Sequence, residues 1–200
     1  LTLDSVQDVA RVGHLGPRSL PFWMLKSTEG DFTVSSYPLV TPVLVAPLYA
    51  PAVAVLHFTG WRRHDLAVAG VVMEKLSASL LAAVSVGLMY LLLRRRLDPR
   101  LAALLAAAYA FGTNTWVTSS QALWQHGATQ LFALVALLCL TGESGRWRLA
   151  IGGAACGLIP FNRPPDLPLA MAIGVAVLLV EKRRAWPFVL AAVGAAVPFA

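Results

Sequence analysis

Charged side chains are scarce in this sequence of 200 residues. Asp, Glu, Lys and Arg together make up 13% of the chain, whereas hydrophobic residues make up 58%. In an ordinary soluble domain about a quarter of the residues are charged. With about half of that fraction, the chain has too little polar surface to coat a water-soluble globule, so an ordinary soluble domain is excluded.

Cysteine and nucleotide-binding motifs are also sparse or missing. The two cysteines, Cys139 and Cys156, lie inside apolar blocks, and we interpret them as small buried hydrophobic residues, not as a disulfide or a metal pair. The sequence has no P-loop, dinucleotide fingerprint or GxSxG elbow. We therefore predict no cofactor, although a divalent cation stays possible.

Neither end of the sequence has the features of a natural terminus. The chain begins without an initiator methionine or a signal-peptide pattern, and its last residues, AAVGAAVPFA, stop within an apolar block. We expect both ends to be truncated.

The apolar residues come in long blocks, as membrane-crossing helices require. One crossing takes about 20 mostly apolar residues, and the Leu- and Ala-rich blocks lack the alternation of an outer-membrane barrel. We predict an all-α, polytopic transmembrane helix bundle. After a first apolar stretch at 38–58, the blocks lie at 71–93, 101–117, 122–141, 148–161, 167–180 and 187–200.

The segments between these blocks alternate in charge. Nine Lys and Arg residues lie in RRRLDPR (94–100), GESGRWR (142–148) and EKRRAW (181–186), whereas GTNTWVTSSQ (112–121) and NRPPD (162–166) contain only Arg163. Basic residues in short loops mark the cytoplasmic side of a membrane protein. We predict that the three basic segments are cytoplasmic and that the other two lie outside. The same rule explains the net charge of +6 without nucleic acid.

The stretch 38–58 allows two topologies. If it crosses the membrane, residues 1–37 are cytoplasmic; if it lies in the outer interface, residues 1–70 form one extracytoplasmic region. Its four prolines, at 38, 42, 47 and 51, favour the interface, because a proline removes a backbone hydrogen bond that lipid cannot replace. We predict a first extracytoplasmic loop with interfacial juxtamembrane helices at 1–70 and a transmembrane bundle at 71–200. Since proline kinks occur in membrane helices, the crossing stays open.

Two carboxylates near the start are candidate catalytic groups. Asp4 and Asp8 are four residues apart, which places both on one face of a helix. One of them can act as a general base that activates an acceptor hydroxyl. The alternative is a capped helix start with solvated acids, and the spacing alone favours this alternative.

Three further residues are candidates for substrate binding. Tyr37 begins a proline-rich segment that forms either a groove wall for a lipid-linked substrate or an interfacial segment with aromatic anchors. His126 lies at the outer end of a block and either binds phosphate or is an interfacial residue with a hydrogen-bonded partner. Arg163 presents a guanidinium fork that matches phosphate oxygens; alternatively it snorkels or pairs with Asp166.

Four segments carry a family resemblance, and together they cover most of residues 35–185. They are YPLVTPVLVAPLYAPA (37–52), MEKLSASLLAAVSVGLMYLLLRRR (73–96), LDPRLAALLAAAYAFGTNTWVTSSQALWQHG (97–127) and GRWRLAIGGAACGLIPFNRPPDLPLAMAIG (145–174). With these segments the chain resembles the bacterial GT-C superfamily of polyprenyl-phosphate-sugar glycosyltransferases. That superfamily includes protein O-mannosyltransferase-like and lipid A aminoarabinose transferase-like proteins.

The resemblance implies an activity and a place for it. A sugar would pass from a polyprenyl-phosphate donor in the membrane lipid to a glycan, lipid or protein acceptor, by inverting direct transfer on the extracytoplasmic face of a bacterial inner membrane. Asp4 would be the leading candidate for the base and Asp8 the reserve. Arg163 would bind the lipid phosphate, and Tyr37 and His126 would contact the substrate.

Two other functions stay open at this point. A transporter or flippase for a lipid or small solute is expected to have paired charges in mid-helix and inverted repeats, and neither is evident in the sequence. A non-catalytic relative that acts in envelope polymer assembly would share the same helices and lack transfer activity.

Overall fold

The computed structural model describes residues 24–26, 33–35, 37–142 and 145–199, and these are helical almost throughout. The chain divides into two compact units, Leu1–Pro38 and Leu39–Ala200. In the first unit, two short strands form an antiparallel pair in which Leu25 lies opposite Val34. These strands are β1 (Met24–Lys26) and β2 (Thr33–Ser35). From the sequence we predicted a loop for this region, without strands.

The described part of the second unit consists of seven α-helices. They are α1 (Val40–Thr59), α2 (Arg63–Arg94), α3 (Pro99–Gly112), α4 (Gln125–Leu140), α5 (Arg146–Asn162), α6 (Leu167–Glu181) and α7 (Trp186–Ala196). A π-helical turn lies at Thr115–Ser119, and 3-10 turns lie at Pro164–Asp166, Lys182–Ala185 and Val197–Phe199. Each apolar block of the sequence therefore contains a helix, so the helical prediction is confirmed.

Three segments are long and apolar enough to cross a membrane. They are Val40–Thr59, His64–Arg94 and Pro164–Phe199, whereas α3 and α4 are apolar but shorter. The third segment includes both α6 and α7. The helical conformation is interrupted between them at Lys182, which has a φ of 49°. This break makes α6 and α7 separate helices.

Local sequence explains several helix ends. Asp98 caps α3 because its side chain accepts hydrogen bonds from the backbone N–H groups of Arg100 at 3.0 Å and Leu101 at 3.2 Å. Gly60 ends α1 in the left-handed conformation, with φ of 89°, which glycine adopts without strain. The next helix, α2, begins at Arg63. Part of the polar segment TGWRRHD (59–65), which follows the first apolar stretch, is therefore helical.

Helices α5 and α7 run in parallel and pack at close range. A Cβ atom at Gly153 would overlap the carbonyl oxygen of Phe188, and a Cβ atom at Gly157 would overlap that of Ala192. The two glycines are four residues apart and so lie on one face of α5. Small residues at this spacing let two helix backbones approach each other, as they do in membrane helix pairs.

The neighbouring glycine of α5 faces a different helix. A Cβ atom at Gly152 would lie 3.0 Å from the Cβ of Cys139 in α4. Helix α5 is thus packed between α4 and α7, and the buried core lies around it. Core residues include Phe132, Leu149, Cys156, Ile159, Ile173 and Phe188. Both cysteines are unpaired.

Candidate functional site

One end of the helical unit is identified by arginine contacts with the last turn of α4. The Nη1 atom of Arg95 donates hydrogen bonds of 2.6 Å to the carbonyl oxygen of Leu138 and to the hydroxyl of Thr141. Arg148, in the first turn of α5, also donates to the carbonyl of Leu138, at 3.4 Å. The segment after α2 and the start of α5 therefore lie at the same end as the C-terminus of α4.

The start of α7 lies at this end as well. The guanidinium carbon of Arg146 lies 5.1 Å from the centre of the Trp186 ring, within the range of a cation–π interaction. The three basic segments of the sequence thus share one end of the helical unit. We call it the basic end.

The opposite end is organised around Asn162, the last residue of α5, whose side chain is fully buried. Its Oδ1 atom accepts a 2.5 Å hydrogen bond from the hydroxyl of Thr41. Its Nδ2 atom donates to the backbone carbonyl of Gln125 at 2.8 Å and to the hydroxyl of Thr129 at 3.0 Å. One amide therefore joins the first turns of α1 and α4 to the end of α5, and all of its hydrogen-bonding groups are used.

Glu74 of α2 is attached to the segment that precedes α4. Its Oε1 atom accepts a 3.4 Å hydrogen bond from the backbone N–H of Leu123. One turn further along α2, Ser79 donates to the carbonyl of Ser120 at 3.2 Å.

These contacts define a second end of the unit, which we call the polar end. The segment 112–124 is held there from its other side too, because Ser119 donates a 2.9 Å hydrogen bond to the side chain of Gln130 in α4. The polar end comprises Thr41, Glu74, residues 115–130 and Asn162–Asp166.

Two of the predicted substrate-binding residues belong to the polar end. The hydrogen bond from Asn162 to Gln125 joins the residues immediately before Arg163 and His126. His126 is half-buried in the first turn of α4, and its side chain has no hydrogen bond within the described ranges. The end of α5 and the start of α4, which carry these two residues, therefore adjoin each other.

Arg163 is held in a defined orientation. Its Nη1 atom lies 2.7 Å from Oδ1 of Asp166, and about a third of its side chain is exposed. From the sequence, pairing with Asp166 was the alternative to phosphate binding for Arg163. The two are compatible, because a guanidinium has five N–H donors, and the bond to Asp166 uses one nitrogen.

The other predicted site residues do not belong to the described part of the helical unit. Asp4 and Asp8 lie outside the described residues. Tyr37 belongs to the first unit, and 42% of its surface is exposed. Their predicted roles stay predictions.

Glu74 and Asn162 were not selected from the sequence. A carboxylate inside an apolar block is costly in a membrane, and this signal could have identified Glu74. No local signal marks Asn162, since its partners lie in other helices, up to 121 positions away.

The polar end offers groups for chemistry on a phosphorylated substrate. It combines a carboxylate, an imidazole and a guanidinium, which can respectively accept a proton, exchange a proton and bind phosphate. In the described part of the chain, no three His, Cys, Asp or Glu residues lie close enough to hold a metal ion. No family model, curated protein or solved structure matches the chain.

Proposed function

We propose that the protein is a polytopic membrane glycosyltransferase of GT-C type, which transfers a sugar from a polyprenyl-phosphate donor to an acceptor outside the cytoplasm. The observation that carries this proposal is the separation of the two ends. Glu74, His126 and Arg163 lie at the polar end, while all nine basic residues of the three basic segments belong to the other.

Helix directions support several crossings between the two ends. Helix α2 passes from the polar end at Glu74 to the basic end at Arg95, and α4 passes the same way from Gln125 to Leu138. Helix α5 returns from Arg146 to Asn162. Its 17 residues span about 25 Å at 1.5 Å per residue, close to the thickness of a hydrocarbon core.

The course of α1 and α2 supports an interfacial position. Thr41, in the first turn of α1, contacts Asn162 at the polar end. Helix α2 follows α1 after a short turn and runs from the polar end at Glu74 to the basic end at Arg95, so α1 does not end at the basic end. Both ends of α1 therefore lie on the side of the polar end, as expected for a juxtamembrane helix.

The reaction is a direct displacement. An acceptor hydroxyl oxygen bonds to the anomeric carbon, and the bond from that carbon to the phosphate oxygen breaks with its electron pair, so polyprenyl phosphate leaves and the configuration inverts. A carboxylate takes the acceptor proton; the resemblance assigns this role to Asp4, with Asp8 in reserve. Arg163, oriented by Asp166, stabilises the departing phosphate. His126, at the same end of the unit, contacts the substrate.

Glu74 adds a described carboxylate to this end. The backbone N–H of Leu123 donates a hydrogen bond to it. In this arrangement Glu74 orients the acceptor hydroxyl towards the donor. The bilayer location follows from the donor, since its lipid tail stays in the membrane.

The test is a transfer assay on the purified protein in liposomes that contain a polyprenyl phosphate bearing a radiolabelled sugar. We expect labelled acceptor and free polyprenyl phosphate to form together, and Asp4→Asn or Arg163→Gln to reduce the rate at least tenfold, with Arg62→Gln as the charge-matched control. Movement of the donor across the bilayer without transfer would instead identify a flippase. The proposal is contradicted if a panel of donor sugars gives no movement of the donor and no transfer.

A further inference from the structure

The net charge of the protein is concentrated in the three basic segments. They contain nine basic and three acidic residues, a surplus that equals the +6 of the whole chain. The remaining seven basic and seven acidic residues balance each other. The helical unit therefore has one strongly cationic end.

One exposed cluster of this charge lies where α5 and α7 begin. Lys182, Arg183 and Arg184 are exposed in the turn Lys182–Ala185 that leads into α7, and Trp186 is the first residue of that helix. Because Arg146 lies over the Trp186 ring, the first residue of α5 joins this turn. Among the described residues, Glu181 is the acidic residue beside this turn, and it takes part in an interaction, so the described cluster has four cations and one anion.

Exposed apolar side chains adjoin these cations. Trp147 is 83% exposed, and Leu179 and Val180, in the last turn of α6, are 71% and 77% exposed. A water-soluble anion or a nucleic acid would leave these side chains in contact with water. A ligand that has both an anionic group and hydrocarbon chains would cover the cations and the apolar side chains together.

We propose that the α5–α7 basic patch, formed by Arg146, Lys182, Arg183 and Arg184 with Trp147 and Trp186, binds the phosphodiester headgroup of anionic membrane lipids. Guanidinium groups bind phosphate oxygens through paired N–H donors. Tryptophan rings prefer the depth of the lipid headgroups. Basic clusters next to membrane helices attract anionic lipids. This proposal does not depend on the transferase activity.

The patch is suited to hold a headgroup firmly. Arg146 is fixed over Trp186, and the turn 182–184 is fixed between α6 and α7, which belong to the buried core through Val177 and Phe188. The backbone that carries these cations is therefore in place before a ligand binds, so binding has to order only their exposed side chains. We therefore expect discrete lipids to remain bound, in addition to a general attraction to a charged surface.

Native mass spectrometry of the purified protein in a nonionic detergent tests the proposal. The protein is titrated with phosphatidylglycerol or with phosphatidylcholine of the same acyl chains, and the dissociation constant of the first bound lipid is measured. We expect phosphatidylglycerol to bind more tightly. In the double variant Arg183→Gln/Arg184→Gln, its affinity should fall about thirtyfold, since each charge near a membrane surface contributes about fivefold.

Arg62→Gln serves as the matched control because Arg62 is exposed and lies at the start of α2, beyond the polar end. It should bind phosphatidylglycerol as the unaltered protein does. Circular dichroism checks that the double variant keeps its helices. Equal affinity for the two lipids, or equal affinity of the double variant and the unaltered protein, overturns the proposal.

Two further probes distinguish a lipid headgroup from a free phosphate ester and from a nucleic acid as the ligand. Soluble glycerol phosphate should not displace the lipid at equal concentration, and a short RNA should bind no more tightly than phosphatidylcholine. Displacement by glycerol phosphate would indicate a site for a free phosphate ester. Tight binding of the RNA would indicate a nucleic-acid surface. Either result contradicts a lipid site.

Discussion

The hydroxyl of Thr41 donates a 2.5 Å hydrogen bond to the amide oxygen of Asn162, which joins residues 121 positions apart. Both side chains are buried. The amide nitrogen of Asn162 binds α4 at the same time. In apolar surroundings, a buried polar group that loses its partner is expensive, so this one side chain fastens three helices at the polar end.

Replacing Asn162 by leucine should destabilise the protein by about 3 kcal/mol. The change leaves the Thr41 and Thr129 hydroxyls and the carbonyl of Gln125 without their partner, and each unsatisfied buried group costs about 1–3 kcal/mol. Denaturant unfolding in mixed micelles measures the loss. The control is Asn114→Leu, an exposed asparagine whose side chain has no hydrogen bond within the described ranges. Equal effects of the two changes would contradict the role given to Asn162.

Replacing each of two glycines by alanine should change the stability of the protein in opposite directions. Gly153→Ala forces a Cβ atom against the carbonyl of Phe188, and overpacking of this kind costs about 1–3 kcal/mol. Gly174 in α6 has open space around the same position, so Gly174→Ala should stabilise by up to about 1 kcal/mol through helix propensity. Thermal unfolding of both variants checks the prediction, which is wrong if Gly153→Ala is neutral.

Two buried serines of α2 should respond differently to alanine. In the described part of the chain, the Ser77 hydroxyl is buried without a partner, whereas Ser85 donates a 2.8 Å hydrogen bond to the carbonyl of Leu81. Removal of an unpaired hydroxyl should be neutral or stabilising, and loss of the Ser85 bond should cost about 0.5–1.5 kcal/mol. Denaturation midpoints give the comparison. A larger loss for Ser77→Ala than for Ser85→Ala is the contrary result.

Arg163 and Asp166 should be coupled in the transfer reaction. We expect Arg163→Gln to lower kcat/KM about 100-fold and Asp166→Asn about tenfold, because Asp166 acts by orienting the guanidinium. The double variant should then be no slower than Arg163→Gln, since residues that act as a unit are not additive. Kinetics with a polyprenyl-phosphate donor provide the test. Additive effects would show that the two residues act separately.

The helices were predictable because their apolar blocks are long and uninterrupted. The common location of the basic segments followed from their arginines, and Arg95, Arg146 and Arg148 do meet at one end. The residues around Asn162 could not be predicted, because their contacts depend on how the helices pack. The first turn of α2 was missed because Arg63, His64 and Asp65 are polar, and a hydropathy pattern does not detect polar helical turns.

The candidate site was predictable in part. The sequence identified His126 and Arg163 as polar residues at helix ends, but it did not predict the hydrogen bond between Asn162 and Gln125 that joins these two helix ends. It did not predict the π-helical turn Thr115–Ser119, which interrupts the block 101–117. In this turn Ser119 contacts Gln130 in another helix, so the local backbone conformation depends on a tertiary contact.

The central claim is that the polar end faces away from the cytoplasm. In a variant whose two cysteines are replaced by alanine, Ser120→Cys marks the polar end and Arg184→Cys marks the basic end. A membrane-impermeant maleimide applied to intact cells should label the cysteine at 120, and the cysteine at 184 only after the membrane is permeabilised. Labelling of 184 but not of 120 in intact cells would contradict the account.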